Sequence, residues 1–461
     1  MNNLPYDRTS KDSIYEYALN LLNKSFKDIL KEKYELKEDS APYNYNDFKG
    51  KGNLGTLIEK EFFLYDPNTK SEADFSEAGI ELKVTPIIQN KNGLLRAKER
   101  LVLGMIDYME DYKEEDFIQS HIYKKCALML LINYLYEPTK ERLDYIIKFV
   151  TLFSFPKEDL EIIKNDYKII INKIKNGKAH EISEGDTNYL GACTKGADSH
   201  STTKQPNSPI EAMRRAFCLK NSYMTYILNK YIANKDNQSE SVIKDSNILK
   251  HTSFEDYVLS QLKPYYNTNV DSLCERFDVQ KNNKSFTYLL AKKMLNIEKD
   301  KIEEFEKSNI RIKAIRVNKN GKIKESMSFP AFEYMKIIKE TDWYESELYD
   351  MFSSAKYLFM IFQFNENNEL YFKRAMFWHI PESDLNGEVR KVWEETINRI
   401  KNNNYNDLPK MKDNTVCHVR PHARNSKDTF PTPDGKAAVK KCFWLNSNYI
   451  KEQISKKESE D

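Results

Sequence analysis

Residues 73–83, ADFSEAGIELK, align without a gap on residues 303–313, EEFEKSNIRIK. Each block is soon followed by the same kind of turn, Asn90-Lys91-Asn92-Gly93 in the first half and Asn318-Lys319-Asn320-Gly321 in the second. Further on, Cys193-Thr194-Lys195-Gly196-Ala197 stands where the second half has Arg420-Pro421-His422-Ala423-Arg424. Arg215-Ala216-Phe217-Cys218-Leu219 then parallels Lys441-Cys442-Phe443-Trp444-Leu445. The separations agree as well: 112 positions between Lys83 and Lys195, 109 between Lys313 and His422. Blocks that recur in order at matched spacing point to a duplicated domain, and 461 residues exceed what one ordinary core organises. The polar run from Ala233 to Lys250 marks the joint. The expected layout is a first domain over 1–235, a linker over 236–251 and a second domain over 252–461.

Periodicity supplies the coarse elements. Ile14, Ala18, Leu21, Leu22 and Ile29 predict an amphipathic helix over 10–31, and the polar stretch 35–53 predicts a loop. Leu54 to Leu64 predicts a second helix. Gly79 to Thr85 alternates strictly, with Ile80, Leu82 and Val84 on one face of a strand and Glu81, Lys83 and Thr85 on the other. Residues 120–136 are apolar, and 141–175 carry helical patterns mixed with charge. Tyr357 to Phe362 predicts a buried strand, and Trp444 a core side chain.

Composition narrows the compartment more than the function. The longest apolar run, Cys126 to Tyr136, is too short to cross a bilayer. Met1 to Ser10 lacks the apolar region of a signal peptide. Six cysteines are scattered without a CxxC pair, which argues against a disulfide framework or zinc ribbon and suits a reducing cytoplasm. A net charge of +2 excludes a polybasic arm but leaves a nucleic-acid partner open, because a basic cleft can be balanced by acidic outer faces.

The chemistry concentrates in the first repeat. Glu81 and Lys83, two apart on a strand, project from one sheet surface. Asp74, just upstream, can converge on the same point, and Glu59 on the preceding helix is a further candidate. Carboxylates held together repel unless a cation neutralises them, and hard oxygen ligands suit Mg²⁺. With a lysine beside them they have the parts needed for phosphodiester hydrolysis. In the second repeat Asp74 becomes Glu304, Glu81 becomes Arg311 and Lys83 remains Lys313, while the counterpart of Glu59 falls near Ala291. An arginine places a fixed positive charge where the dication would sit, so the second copy is expected to bind no metal. A lone ExK is common by chance; the asymmetry between copies is what gives this one weight.

These residues resemble the MutH family and, more closely, the MutH-like type II restriction endonucleases that cut at GATC. The resemblance rests on Gly52 to Glu59, Asp74-Phe75, Ala78 to Pro86, Lys98 to Leu103, Gly177 to Gly185, Tyr189 to Ala197 and Arg215 to Thr225. In the second half it rests on Glu325 to Phe329 and Cys417 to His422. It implies an α/β chain of two tandem restriction-endonuclease-like domains, each a mixed β-sheet flanked by helices. It implies Mg²⁺-dependent cleavage of both strands of duplex DNA at GATC, before the G. By position, Glu59, Asp74, Glu81 and Lys83 match the catalytic set, with Glu59, Asp74 and Glu81 as metal ligands. A further family lysine follows on a strand beyond the active-site hairpin; Lys124 is the choice and Lys125 its competitor.

For DNA reading, Lys195 matches a family lysine in a recognition loop. The family often carries arginine two residues earlier, where this chain has Cys193; the second half does have Arg420 there, followed by His422. Lys195, Arg420 and His422 are therefore the expected DNA contacts. The resemblance also implies a metal-free second domain that binds another copy of the site, stimulates cleavage and supports a dimer bridging two sites. Cys417, His418 and His422 superficially suggest a metal site, but no further ligands stand at zinc-finger spacing. A mismatch-repair nickase is the first alternative, opposed by the duplication, since the repair enzymes of this family have one domain. A non-catalytic DNA-binding regulator is the second, opposed by the intact acidic set.

Overall fold

The protein is described from a computed structural model over residues 4–35, 53–66, 72–195, 201–235 and 238–460. It divides into two compact units: Met1–His180, Thr187–Ser239 and Glu306–Ser308 form the first, and Glu181–Asp186, Glu240–Phe305 and Asn309–Asp461 the second.

The first unit is built on β1 (Glu81–Gln89), β2 (Leu95–Ala97), β3 (Leu101–Met105), β4 (Leu128–Leu135), β5 (Ile146–Ser154), β6 (Leu190–Thr194) and β7 (Arg215–Leu219). Its main sheet runs β2-β1-β4-β5, with β1 and β4 parallel and β5 antiparallel to β4. β4 is buried along nearly its whole length, which is why it reads as a continuous apolar run rather than an alternation. Three strands, β3-β7-β6, form a second sheet. Ile14, Leu21, Phe26, Leu57 and Phe63 cover one face of the main sheet through Ile80, Leu82, Leu130 and Ile132.

The single helix expected over 10–31 is two, α1 (Lys11–Ala18) and α2 (Phe26–Glu35). Asn23 takes a left-handed φ of 63° and breaks the run. Ser25 and Asp28 then start α2 as a reciprocal cap: Asp28 N donates to Ser25 Oγ (3.1 Å) and Ser25 N to Asp28 Oδ2 (2.9 Å). The expected loop at 35–53 lies almost wholly outside the described residues. Residues 141–175 also differ from a helical reading. Their first part is β5, rich in β-branched and aromatic side chains, and α-helix begins only at Leu160, running to Lys175.

The second unit repeats most of this connectivity; among the described residues its main sheet has no named strand in the place of β2 and gains a two-residue strand, Thr268–Asn269, at the opposite edge. Its strands are β8 (Ile310–Val317), β9 (Met327–Phe332), β10 (Lys356–Phe364), β11 (Leu370–Trp378), β12 (Cys417–Pro421) and β13 (Lys441–Leu445). β8 is parallel to β10, β11 is antiparallel to β10, and β9-β13-β12 form the second sheet. Tyr357 to Phe362 is buried core strand, as its composition predicts.

The correspondence extends to single bonds. Gly93 N donates to Asn90 O (2.9 Å) and Gly321 N to Asn318 O (2.8 Å), each glycine at positive φ. Lys195 N donates to Arg214 O (2.8 Å) and His422 N to Lys440 O (2.9 Å). Tyr108 Oη donates to Met213 O and Tyr334 Oη to Val439 O, both at 2.6 Å. The register irregularity of the three-stranded sheet falls between Val102 and Gly104 in one unit and between Ser328 and Ala331 in the other.

The stretch expected as a linker is structured from residue 238 onward. Ser239 hydrogen-bonds Tyr226, Glu240 accepts from Glu298 N (2.8 Å) and Lys299 N (3.2 Å), and Ser246–Lys250 forms a 3₁₀ turn. Glu306–Ser308 falls within the first unit, where the Lys307 ammonium lies 2.6 Å from Asp159 Oδ1 and Ser222 Oγ donates to Lys307 O. Among the described residues no helix is long and apolar enough to cross a membrane.

Candidate active site

A tight turn assembles the acidic group. Phe75 and Ile80 bridge to one another and Gly79 takes a φ of +66°, so the chain doubles back and sets Asp74 beside the start of β1. Asp74 N then donates to Glu81 Oε2 (3.2 Å), and Leu82 N donates to Asp74 Oδ2 (2.9 Å). Glu59 sits in a π-helical turn, Ile58–Phe62, that follows α3 (Asn53–Leu57). Such turns re-aim one side chain and recur at functional sites. Burial, with Asp74 and then Glu81 nearby, pushes the Glu59 carboxyl up to about 7.

The alternating strand pattern places Glu81 opposite the apolar face, yet Glu81 is only 3% exposed. The Lys83 ammonium stands 2.9 Å from Glu81 Oε1 and 3.4 Å from Leu103 O. Burial pushes the Glu81 carboxyl up. Burial also opposes the charge on Lys83, but the carboxylates around it prevail and hold its pKa above the ordinary lysine value.

Of the two candidate lysines, Lys125 has its Nζ 3.6 Å from Glu81 Oε1, and Lys124 is exposed. Both stand on a helix, α4 (His121–Cys126), not on a strand. Ser120 caps α4 by accepting from Tyr123 N, and that phasing turns residue 125 toward β1 and residue 124 away. The second unit has the same cap, Ser346 accepting from Tyr349 N, so Lys125 corresponds to Met351. Asp116-Phe117-Ile118-Gln119-Ser120 aligns on Asp342-Trp343-Tyr344-Glu345-Ser346, which matches the two caps without choosing between Lys124 and Lys125.

Tyr65 is a neighbour of these carboxylates that sequence reasoning missed. Its N donates to Glu59 O (3.1 Å), its ring meets Phe75 edge-on at 5.4 Å, and its hydroxyl is buried with no hydrogen-bond partner among the described residues. Burial, then the Asp74, Glu59 and Glu81 carboxylates, pushes its ionisation far up, so the phenol is a donor.

The corresponding place in the second unit is rebuilt. Arg311 is exposed on β8, and burial together with Arg311 lowers the pKa of Lys313. Glu304 is buried and accepts from Val242 N (3.0 Å) and Ser241 Oγ, so its carboxylate pins the chain after residue 240. Ala291 is fully buried.

Lys195 is exposed, and the residues that follow it, 196–200, lie outside the described ones; Cys193 is buried. Arg420 and His422 are both exposed. His418 is buried against Asn446, which explains why Cys417, His418 and His422 form no ligand set. Trp444 is half-buried rather than core, with the Arg420 guanidinium 3.7 Å above its ring.

Among the described residues no three His, Cys, Asp or Glu side chains already stand at metal-ligand spacing. The first unit nevertheless has a donor set of the right chemistry: three carboxylates on neighbouring elements, with the Glu59 carboxyl pushed up to about 7 by burial and then by Asp74 and Glu81. A hard dication would relieve that crowding.

Residues 63–166, which carry Asp74, Glu81, Lys83 and Lys125, match the family model described as DNA mismatch repair enzyme MutH. The whole chain carries the likeness further. It is 36% identical to the type II restriction enzyme Sau3AI of Staphylococcus aureus, over 88% of this chain and 93% of that protein. The chain therefore belongs to the MutH-like type II restriction endonucleases. DNA mismatch repair protein MutH of Vibrio parahaemolyticus is 26% identical over 40% of this chain and 81% of its own length. MutH of Haemophilus influenzae PittGG is 27% identical over the same shares.

Proposed function

We propose that this protein cleaves duplex DNA at GATC by Mg²⁺-dependent phosphodiester hydrolysis in its first unit, while its second unit, a degenerate copy of the same domain, binds DNA without cutting. The observation that carries this reading is the asymmetry of the two copies. Glu59, Asp74 and Glu81 gather beside Lys83 and Lys125 in one, whereas Ala291, Glu304, Arg311, Lys313 and Met351 hold the matching positions in the other.

Glu59, Asp74 and Glu81 would hold the ion, whose chemistry there is to polarise a phosphoryl oxygen and acidify an attacking water. Lys83 would orient that water or offset charge on the phosphorus as it becomes five-coordinate. Lys125, sharing Glu81 with Lys83, would add to that charge stabilisation. In the second unit Arg311 and Lys313 supply positive charge while the carboxylate of Glu304 is engaged by Val242 N and Ser241 Oγ, an arrangement suited to a phosphate rather than a dication. GATC as the site is what the family resemblance implies, as is stimulation by a second site bound to the second unit, with two chains meeting on DNA.

The test is incubation of the purified protein with plasmid carrying GATC, with Mg²⁺ or with a chelator, followed by mapping of the ends. Double-strand breaks at GATC only with the metal are expected. Nicks in one strand would favour a repair-type enzyme, and intact plasmid a non-catalytic DNA binder.

A further inference from the structure

On β12, residues 418 and 420 share one face, since alternate strand residues point the same way, and His422 follows just past the strand's end. β13 contributes Trp444 to that face, pairing directly with His418, while Arg420 pairs with Cys442 one step along. The Arg420 guanidinium carbon lies 3.7 Å from the centre of the Trp444 ring, a separation reached only when the group lies over the face of the indole. His418 lies beside the ring, nearly parallel to it at 6.4 Å, and His422 meets it nearly edge-on at 5.4 Å. The indole N–H is buried with no hydrogen-bond partner among the described residues, and the ring's contacts named here are aromatic and cationic.

The first unit has nothing equivalent. By the shared register the counterparts of Arg420 and Trp444 are Cys193 and Cys218, both buried. One copy has therefore filled this face with two small thiols and the other with a cation on an aromatic platform. A free arginine on an exposed strand end would sample many rotamers. One laid on an indole is held with its N–H edge outward, ready for the paired acceptors of a base.

We propose that Trp444 is a positioning residue for sequence reading by the second unit: its indole holds Arg420 so that the guanidinium edge meets the O6 and N7 acceptors of a guanine in the major groove. This rests on the proposed DNA contact of Arg420. A phosphate contact would need only charge, and a mobile lysine would serve it as well; a planar fork fixed on a ring is the arrangement for a base edge.

The experiment measures binding of the full-length protein, without Mg²⁺ and at fixed salt, to a duplex carrying GATC and to a scrambled duplex. R420A should lower the preference for GATC by about tenfold, the scale of one bidentate base contact. W444L should lose most of the same preference, W444F should keep part of it, and the double variant R420A/W444L should be no worse than R420A alone. R420K should resemble R420A. Emission from Trp343, Trp378 and Trp393 checks that the core of the unit is intact in each variant. Additive losses in the double variant, or a W444L and W444F pair with unaltered preference, would overturn the role of Trp444 while leaving Arg420 as a contact. An R420A protein with unchanged preference would remove the contact itself, and the proposal with it.

Discussion

The Lys83 ammonium lies 2.9 Å from Glu81 Oε1, two residues away on the same strand, with Glu81 almost wholly buried. A carboxylate so placed has one use that solvent does not share, which is to hold positive charge over the sheet. Glu81→Ala should reduce cleavage by a factor of about 10³ or more, the scale expected when a central electrostatic group is lost. Duplex binding in a gel-shift assay should be retained. An alanine variant that cuts at the normal rate would refute the site.

Lys125 reaches Glu81 at 3.6 Å and Lys124 does not. Lys125→Ala should therefore lower the single-turnover cleavage rate by about 10²-fold, and Lys124→Ala should leave it within about twofold. The reverse ranking would mean that α4 is phased differently when DNA is bound.

The buried hydroxyl of Tyr65 has no acceptor among the described residues and sits behind Glu59 against Phe75. Tyr65→Phe keeps the ring and its packing. The hydroxyl is expected to donate to one of the neighbouring carboxylates once an ion is held, so its loss should raise the Mg²⁺ concentration needed for half-maximal cleavage by about tenfold, the scale of a supporting hydrogen bond near metal ligands. Calorimetric titration of the protein with Mg²⁺ gives a reading free of turnover; identical binding isotherms would remove Tyr65 from the site.

Burial holds the His418 imidazole below its usual pKa; Asn446 partly opposes this and Arg420 adds to the lowering. The unfolded chain protonates this histidine near pH 6.5 while the native one resists. Stability linked to His418 is therefore intact above about 6.5 and is lost as pH falls toward the depressed native value. All 4 tryptophans, Trp343, Trp378, Trp393 and Trp444, belong to the second unit, so their emission during urea unfolding reports on it alone. The fall in midpoint between pH 7.5 and 5.5 should shrink in H418N, and an equal fall in both proteins would show that other groups carry it.

Lys307 and Asp159 are both buried and lie 2.6 Å apart, with the Tyr223 hydroxyl donating to the other carboxylate oxygen at 3.0 Å. Burial pushes the Asp159 carboxyl up even with Lys307 beside it. Removing the lysine leaves a buried charge uncompensated, which costs about 3–5 kcal/mol. Lys307→Met should destabilise the first unit at neutral pH, and less at pH 5, where Asp159 can take up a proton. Hydrogen exchange of β6 and β7 measures this. A truncation at residue 251 also strips Lys307, so it should lose both the second unit and part of the first unit's stability.

Much of this site was legible in one dimension because its parts are local. Glu81 and Lys83 share a face by the two-residue period of a strand, and Asp74 is returned to them by a short turn around Gly79. The repeated blocks were equally readable, since they keep their order and spacing whatever the fold, and that Arg311 stands where the first block has Glu81 needed no coordinates. Contacts between distant segments were not readable. Whether residue 124 or 125 reaches β1 depends on how Ser120 phases a helix against a strand some 40 residues earlier in the chain, and period alone is silent on that. Trp444 looks like core in any apolar strand; only the pairing of β12 with β13 puts an arginine over its ring. Tyr65 and Lys307 carry no sequence signature at all. Their significance lies in which groups burial leaves them facing, and burial is decided when the whole chain packs.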